Sequence, residues 1–310
     1  MESDPRPILV TGSPRSGTTW VGRVICASKG AEYLSEPFNP ENRSLVDLRI
    51  NRWFTYVCRD NEADFLTSFD AALSHRPRVM ASLRRMRQPS DVVRIARRVA
   101  QSARGRSRGG RLLFKDPFAA FSAEWFADRL GAQVVVVVRH PLPVVASLKR
   151  LGWTFPLEDL LSQPLFLRDC VHAETLAESL LSEGNLEPLL VNCLCWCLIY
   201  DHLREIAARR PDIIVVRHED LSAHPEEAYE ELFDSLGLPL TNDVVHQLRH
   251  MTEPSNPAEL DIDNPHSTRL HSRANLENWR SRLTASEIAS IDAATAEVAS
   301  AWYSAPPSGA

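Results

Sequence analysis

No apolar stretch of this chain approaches the roughly twenty residues needed to cross a bilayer, and Met1-Glu-Ser-Asp-Pro5 has no basic-then-apolar leader pattern. The expectation is a cytoplasmic protein. Spacings of the HExxH, DxDxDG or CxxC kind are absent, so no metal is expected. The six cysteines, Cys26, Cys58, Cys170, Cys193, Cys195 and Cys197, describe no disulfide framework, which fits a reducing compartment. Three of them form a C-x-C-x-C run within an apolar, helix-like stretch from Leu189 to Leu203. Helical residues two apart point about 200° away from each other. Sulfurs so placed cannot meet on one ion, and buried core thiols are expected. A basic excess is also missing: the formal net charge is −5, against a general nucleic-acid or membrane surface. No internal repeat is apparent.

What the 310 residues do contain is an alternation of strand and helix patterns from end to end. Strands are expected at Ile8 to Thr11, Ala31 to Ser35, Leu112 to Lys115, Gln133 to Arg139 and Ile213 to Arg217. Helices are expected at Thr18 to Ser28, Ser122 to Leu130, Pro141 to Arg150, Leu189 to Arg209, Pro225 to Leu236 and Ala285 to Ala299, with caps at Ser122, Thr241 and Thr284. Length alone would allow about two domains. The unbroken alternation instead favours one α/β domain over residues 1–310, with helical insertions at about 41–111 and 151–188.

One region departs from the acidic average. From Arg76 to Arg111 there are twelve arginines against a single acidic residue, Asp91. Such blocks are commonly solvated faces, and Gly105, Gly109 and Gly110 suggest a flexible loop at its end. The other reading is a lid helix, Asp91 to Ala103, that steers anions into a cleft.

The segment Ile8-Leu-Val-Thr-Gly-Ser-Pro-Arg-Ser-Gly-Thr-Thr-Trp20 describes a buried strand, a glycine-punctuated turn and the first turn of a helix. Unpaired N–H groups at a helix start, backed by the positive end of the helix dipole, make an anion cradle. The spacing Gly12-x-x-x-x-Gly17-Thr18-Thr19 nearly matches the nucleotide P-loop, but Thr18 stands where the phosphate-gripping lysine belongs. A kinase needs that lysine on its β and γ phosphates, so this loop should hold a shorter anion chain, with Arg15 supplying a fixed charge.

A second cluster follows Val134-Val-Val-Val-Val-Arg139-His-Pro141. Five consecutive valines describe a strand buried on both faces, and Pro141 at the first helical position lets a helix begin at once. Arg139 is thereby placed at the carboxyl edge of the sheet, where ligands of open α/β folds bind and where the Gly12 to Thr19 loop also lies. Its fork of donors suits a terminal phosphate.

Pro14-Arg-Ser-Gly-Thr-Thr-Trp20 resembles the 5′-phosphosulfate loop of the sulfotransferases, which use 3′-phosphoadenosine 5′-phosphosulfate (PAPS). Arg139, followed eight residues later by Ser147, is similar to that family's 3′-phosphate segment. The likeness continues through Val216-Arg-His-Glu-Asp-Leu221 and through Asn278-Trp279-Arg280 with Leu283-Thr284. It implies a three-layer, P-loop-like fold with a central parallel sheet flanked by helices. It also implies donor contacts from Arg15, Ser16, Gly17, Thr18, Thr19 and Trp20 at one end and from Arg139 and Ser147 at the other. His218 takes the place of a family aromatic near the adenine, and Arg273 stands near a family Arg-Lys-Gly that this chain lacks.

Chemistry needs a base for the acceptor hydroxyl and cations for the departing phosphate. The cytosolic branch carries Lys-x-His with histidine as base, but this chain reads Lys115-Asp116-Pro117, and proline carries no proton. Glu36, in Ser35-Glu-Pro-Phe38, resembles the Glu-Pro segment of the carbohydrate-type and bacterial branch and is the favoured base, with Asp116 as the alternative. Arg15 and Lys115 are the candidate cations. The resemblance implies sulfuryl transfer from PAPS to a hydroxyl of a carbohydrate, lipid or secondary metabolite. A P-loop kinase of a small metabolite and a non-catalytic nucleotide-binding protein remain as other readings. Trp53, Phe54, Tyr56, Trp153 and Phe155 hint at an apolar acceptor wall.

Overall fold

The computed structural model describes residues 6–28, 30–41, 48, 50–73, 111–170, 187–259, 261 and 267–303. The arginine-rich run from Arg76 up to position 110, including the expected helix Asp91 to Ala103, lies outside the described residues, as do residues 171–186 of the second expected insertion. Arg111 is described, and it is buried: its guanidinium donates to the carbonyls of Arg6 and Leu236 where a strand begins.

The first half runs β1 (Ile8–Gly12), α1 (Thr18–Ala27), β2 (Ala31–Ser35), α2 (Ala63–Leu73), β3 (Arg111–Lys115), a 3-10 turn (Pro117–Ser122), α3 (Ala123–Leu130) and β4 (Gln133–Val138). There follow α4 (Pro141–Leu151), the short helices α5 (Leu157–Leu161) and α6 (Pro164–Asp169), α7 (Pro188–Arg209) and β5 (Ile214–Arg217). The chain continues through α8 (His218–Ala223), α9 (Pro225–Leu236), α10 (Asn242–Thr252) and α11 (Ala285–Tyr303). The five strands form one parallel sheet in the order β2-β3-β1-β4-β5. All five carboxyl ends therefore point the same way, and β1 sits between the strands that follow it on either side.

Every expected strand is found to within a residue or so, because a parallel sheet covered on both faces needs continuous apolar runs. In β4, Val134, Val136 and Val138 pack into one core with Trp196 and Phe126, while Val135 and Val137 pack into the opposite one with Trp20 and Tyr229. Each buried valine contributes about 1.5–3 kcal/mol over its exposed state. Among the described residues no helix is long and apolar enough to cross a membrane. The cysteine run diverges as its spacing requires: Cys193 and Cys195 are buried in separate clusters, and the Cys197 thiol donates to the Ala294 carbonyl.

Two cap expectations hold and one fails. The Thr241 hydroxyl accepts from Val244 N, and Thr284 exchanges bonds with Glu287 in a capping box. Ser122 stands at the start of α3 but its hydroxyl is used elsewhere, accepting from Val57 N at 2.9 Å and donating to the Thr55 carbonyl at 3.0 Å. It pins an irregular strand of chain across the 3-10 turn.

Candidate active site

The loop after β1 is shaped by two glycines in backbone regions closed to other residues. Gly12 has φ +147°, and a Cβ there would lie 2.3 Å from the Val137 carbonyl oxygen of β4. Gly17 has φ +102°, and a Cβ there would lie 2.5 Å from His218 Nδ1. Between them Arg15 takes φ +70°, a costly conformation that the surroundings must enforce. They do so through three contacts: Ser16 N donates to Ser13 O at 3.1 Å, Ser13 N donates to the Tyr200 hydroxyl at 3.3 Å, and Arg139 Nη1 donates to Arg15 O at 3.0 Å. The result leaves the first-turn amides of α1 facing a cavity lined by Gly17, Thr18, Thr19 and Trp20.

Arg139 enters this cavity from the end of β4, as its position after the valine strand predicts. Its carbonyl is fixed by the Trp196 indole at 3.0 Å, and the next residue, His140, donates its N–H to Glu219 at 3.0 Å. Its Nε is buried without a partner among the described residues. Ser147 lies on the same wall and accepts from Arg15 Nε at 3.0 Å. The cavity thus brings together the first-turn amides of α1, Arg15 and Arg139, groups of the kind that bind anions.

His218 lies at the floor, 4% exposed. Burial first, and the Arg139 charge second, hold it well below the ordinary histidine range, so it is neutral at pH 7. Its Nε2 faces the Asn275 amide at 3.4 Å and the Ser222 hydroxyl at 3.3 Å. With the Asn275 nitrogen donating, the proton is placed on Nδ1, which is buried, unpartnered among the described residues and turned toward Gly17.

Glu36 follows β2 at φ +45°. Its N–H donates to the Lys115 carbonyl at 2.8 Å, and its carboxylate pairs with the Lys115 ammonium, which is 2% exposed. The second carboxylate oxygen accepts from Asn39 Nδ2 at 3.0 Å, while Asn39 Oδ1 accepts from Glu41 N at 2.9 Å, which fixes the amide's orientation. Asp116 is committed differently: its two oxygens accept from Phe38 N at 2.6 Å and Phe118 N at 2.9 Å, and it starts the 3-10 turn. Burial pushes its pKa up to about 8 despite those bonds. It lines neither cavity, so Glu36 alone of the two expected bases faces the site; Lys115, an expected cation, also lines neither cavity and meets the site only through the Glu36 carboxylate.

A second cavity opens on the other side of Arg15, sharing Arg15, Thr18 and Thr19 with the first and reaching Glu36, Asn39, Trp53, Phe118, Trp153 and Phe155. Of the five expected aromatics, Trp53, Trp153 and Phe155 line it. Phe54 is instead 1% exposed in the core behind, and Tyr56 turns away to Asp169.

Four further outcomes bear on the expected residues. Ser16 is wholly buried beneath the loop rather than lining the cavity. Arg273 is exposed and donates to the Ala223 carbonyl at 3.1 Å, outside the cavity. The arginines that do join the site are Arg150 and Arg282, neither of which stands within a motif. Arg15 feels the crowding: burial first, then Arg139, Arg282 and Arg150, pull its pKa down to about 10, with Glu36 opposing. A signal for Arg150 existed in its place one turn beyond Ser147 on α4, the face of the helix that Ser147 turns to the cavity.

The model of the "Sulfotransferase family" matches residues 7–243. No curated protein matches the chain in sequence. Among solved structures, the sulfotransferase domain from the curacin biosynthetic pathway is 16% identical, with 94% of this chain and 98% of that chain covered at a TM-score of 0.50. The sulfotransferase domain of a Synechococcus olefin synthase is 18% identical, covering 99% and 98% at 0.49. A Mycobacterium avium sulfotransferase is 15% identical, covering 98% and 78% at 0.48. A P-loop-like parallel sheet with a lysine-free anion loop, and a family match over most of the chain, place this protein in the sulfotransferase family.

Proposed function

We propose that the protein transfers a sulfuryl group from PAPS to the hydroxyl of a small-molecule, glycan or lipid acceptor, and that residues 1–310 act as one catalytic domain. The observation that carries this is a single cavity onto which both the glycine-shaped loop and Arg139 open, with Arg139 Nε and His218 Nδ1 buried and without partners among the described residues. Buried donors left unpaired cost about 1–3 kcal/mol each, a cost that a bound 3′-phosphorylated nucleotide would remove. The loop amides and Arg15 suit the 5′-phosphosulfate, while Arg139 and Ser147 suit the 3′-phosphate.

In this reading Glu36 takes the acceptor hydroxyl's proton as the new S–O bond forms. The old bond, between sulfur and the bridging phosphate oxygen, breaks with its electron pair on that oxygen. Protonating Glu36 dissolves its pairing with Lys115, and the freed ammonium, with Arg15, neutralises the charge on the departing phosphate. Calorimetry with 3′-phosphoadenosine 5′-phosphate (PAP) and with ATP tests the donor assignment. Tight, magnesium-independent binding of PAP supports it; preference for Mg-ATP would establish a kinase instead.

A further inference from the structure

In Val216-Arg-His-Glu-Asp-Leu221 the chain crosses from the end of β5 into α8, and consecutive side chains there diverge. His218 forms the floor of the first cavity, Asp220 turns back to pair with Arg217 at 2.7 Å, and Glu219 reaches across to the end of β4. The reach is short because β4 and β5 are neighbours in parallel register, with Val138 beside Arg217.

Both oxygens of Glu219 are occupied. Oε1 accepts from His140 N at 3.0 Å, and Oε2 accepts at 3.0 Å from the hydroxyl of Tyr303, the last residue of α11. The Tyr303 ring is itself held, by an edge contact with His140 at a centroid distance of 5.1 Å and by the Arg217 guanidinium 6.0 Å over its face. Burial opposes the charge of Arg139, and among its neighbours Glu219 gives that charge the most support. Yet the two form no ion pair among the described residues, and Arg139 Nε stays without a partner.

A carboxylate beside a buried guanidinium ordinarily closes on it as a two-pronged pair. Here each prong is already bonded, so the support is given without contact. We infer that Glu219 and Tyr303 are positioning residues for the 3′-phosphate contact: the Tyr303 hydroxyl holds the Glu219 carboxylate back from Arg139, which leaves the guanidinium fork open to a phosphate. The inference rests on the proposed 3′-phosphate role of Arg139. Without the hydroxyl, one oxygen of Glu219 is released and competes with the phosphate for the same donors. Such competition weakens only nucleotides that carry a 3′-phosphate, whereas a loosened fold weakens all of them.

The test is a two-residue cycle on the whole chain, read by calorimetry as the ratio of Kd for adenosine 5′-phosphate to Kd for PAP. Tyr303→Phe should lower this preference for PAP about tenfold while binding of adenosine 5′-phosphate stays unchanged. Glu219→Gln keeps the shape of the side chain but brings no charge to Arg139, and should retain at least the wild-type preference. Adding it to Tyr303→Phe should restore what Tyr303→Phe removed. An unchanged preference in Tyr303→Phe would overturn the inference. So would a fall in Glu219→Gln alone, or a loss in Tyr303→Phe that the second substitution does not restore, since either makes the pair a support of the turn after β4. A wild type that binds both nucleotides alike would remove the 3′-phosphate reading itself, and the inference with it.

Discussion

Arg139→Ala tests the proposed 3′-phosphate role of this residue. In the resting protein one of its five N–H donors holds the Arg15 carbonyl and Nε is unpartnered among the described residues, so the fork retains capacity for a bidentate phosphate contact. Two charge-assisted bonds at about 1.5–3 kcal/mol each amount to about 3–6 kcal/mol of donor affinity, roughly a hundredfold to ten-thousandfold. Loss of the bond to Arg15 adds about 1 kcal/mol of loop loosening, but that part falls on every nucleotide alike. The measurement is therefore a ratio: Kd for PAP against Kd for adenosine 5′-phosphate, by calorimetry, in wild type and variant. Wild type should favour PAP by at least about a hundredfold, and Arg139→Ala should bring the ratio close to one. A variant that weakens both nucleotides equally and keeps the ratio would refute the assignment, leaving Arg139 as a support of the loop only.

Glu36→Gln keeps the shape of the turn and an acceptor for Lys115 but removes the proposed base; kcat should fall about 10²–10⁴-fold with PAP affinity unchanged, and undiminished transfer would reject Glu36. Gly17→Ala puts a methyl 2.5 Å from His218 Nδ1 at φ +102°, so thermal unfolding should show a loss of about 2–4 kcal/mol together with weaker PAP binding. Stability should also be bell-shaped in pH. His202, held near 4 by burial, and His218, held well below its usual range by burial and Arg139, bind protons only when unfolded, so their contribution is present above about 6.5 and lost as pH falls. Asp116, raised to about 8 by burial, keeps its proton only when folded, so its contribution is lost as pH rises from about 4 through 8. Urea midpoints should peak near pH 6.5, and a steady rise through pH 8 would contradict the Asp116 assignment.

The parts of the molecule legible in its sequence are those governed by local pattern. The valine strand ending at Arg139 and the glycine-spaced loop announce themselves because backbone geometry at each point admits few residue types. What escaped detection depends on contacts across the chain. Residues 50–60 have no periodicity, since they cross the molecule as irregular chain whose amides are bound by Asp159, Gln163 and Ser122. That crossing seats Trp53 at the cavity and Phe54 behind it, a distinction that no spacing encodes. Asn39 likewise looks like an ordinary turn residue until its amide is seen bridging Glu41 and Glu36. Arg273 and Arg282 are nine positions apart, and only the path of the chain around Trp279 decides which guanidinium reaches the site.

The pairing of Glu36 with Lys115 has a consequence for the order of events. In the proposed reaction a proton arriving on Glu36 removes the charge that holds the ammonium, so base and cation change state together. On that proposal, taking the proton from one substrate and neutralising the group that leaves the other are a single event carried by one ion pair.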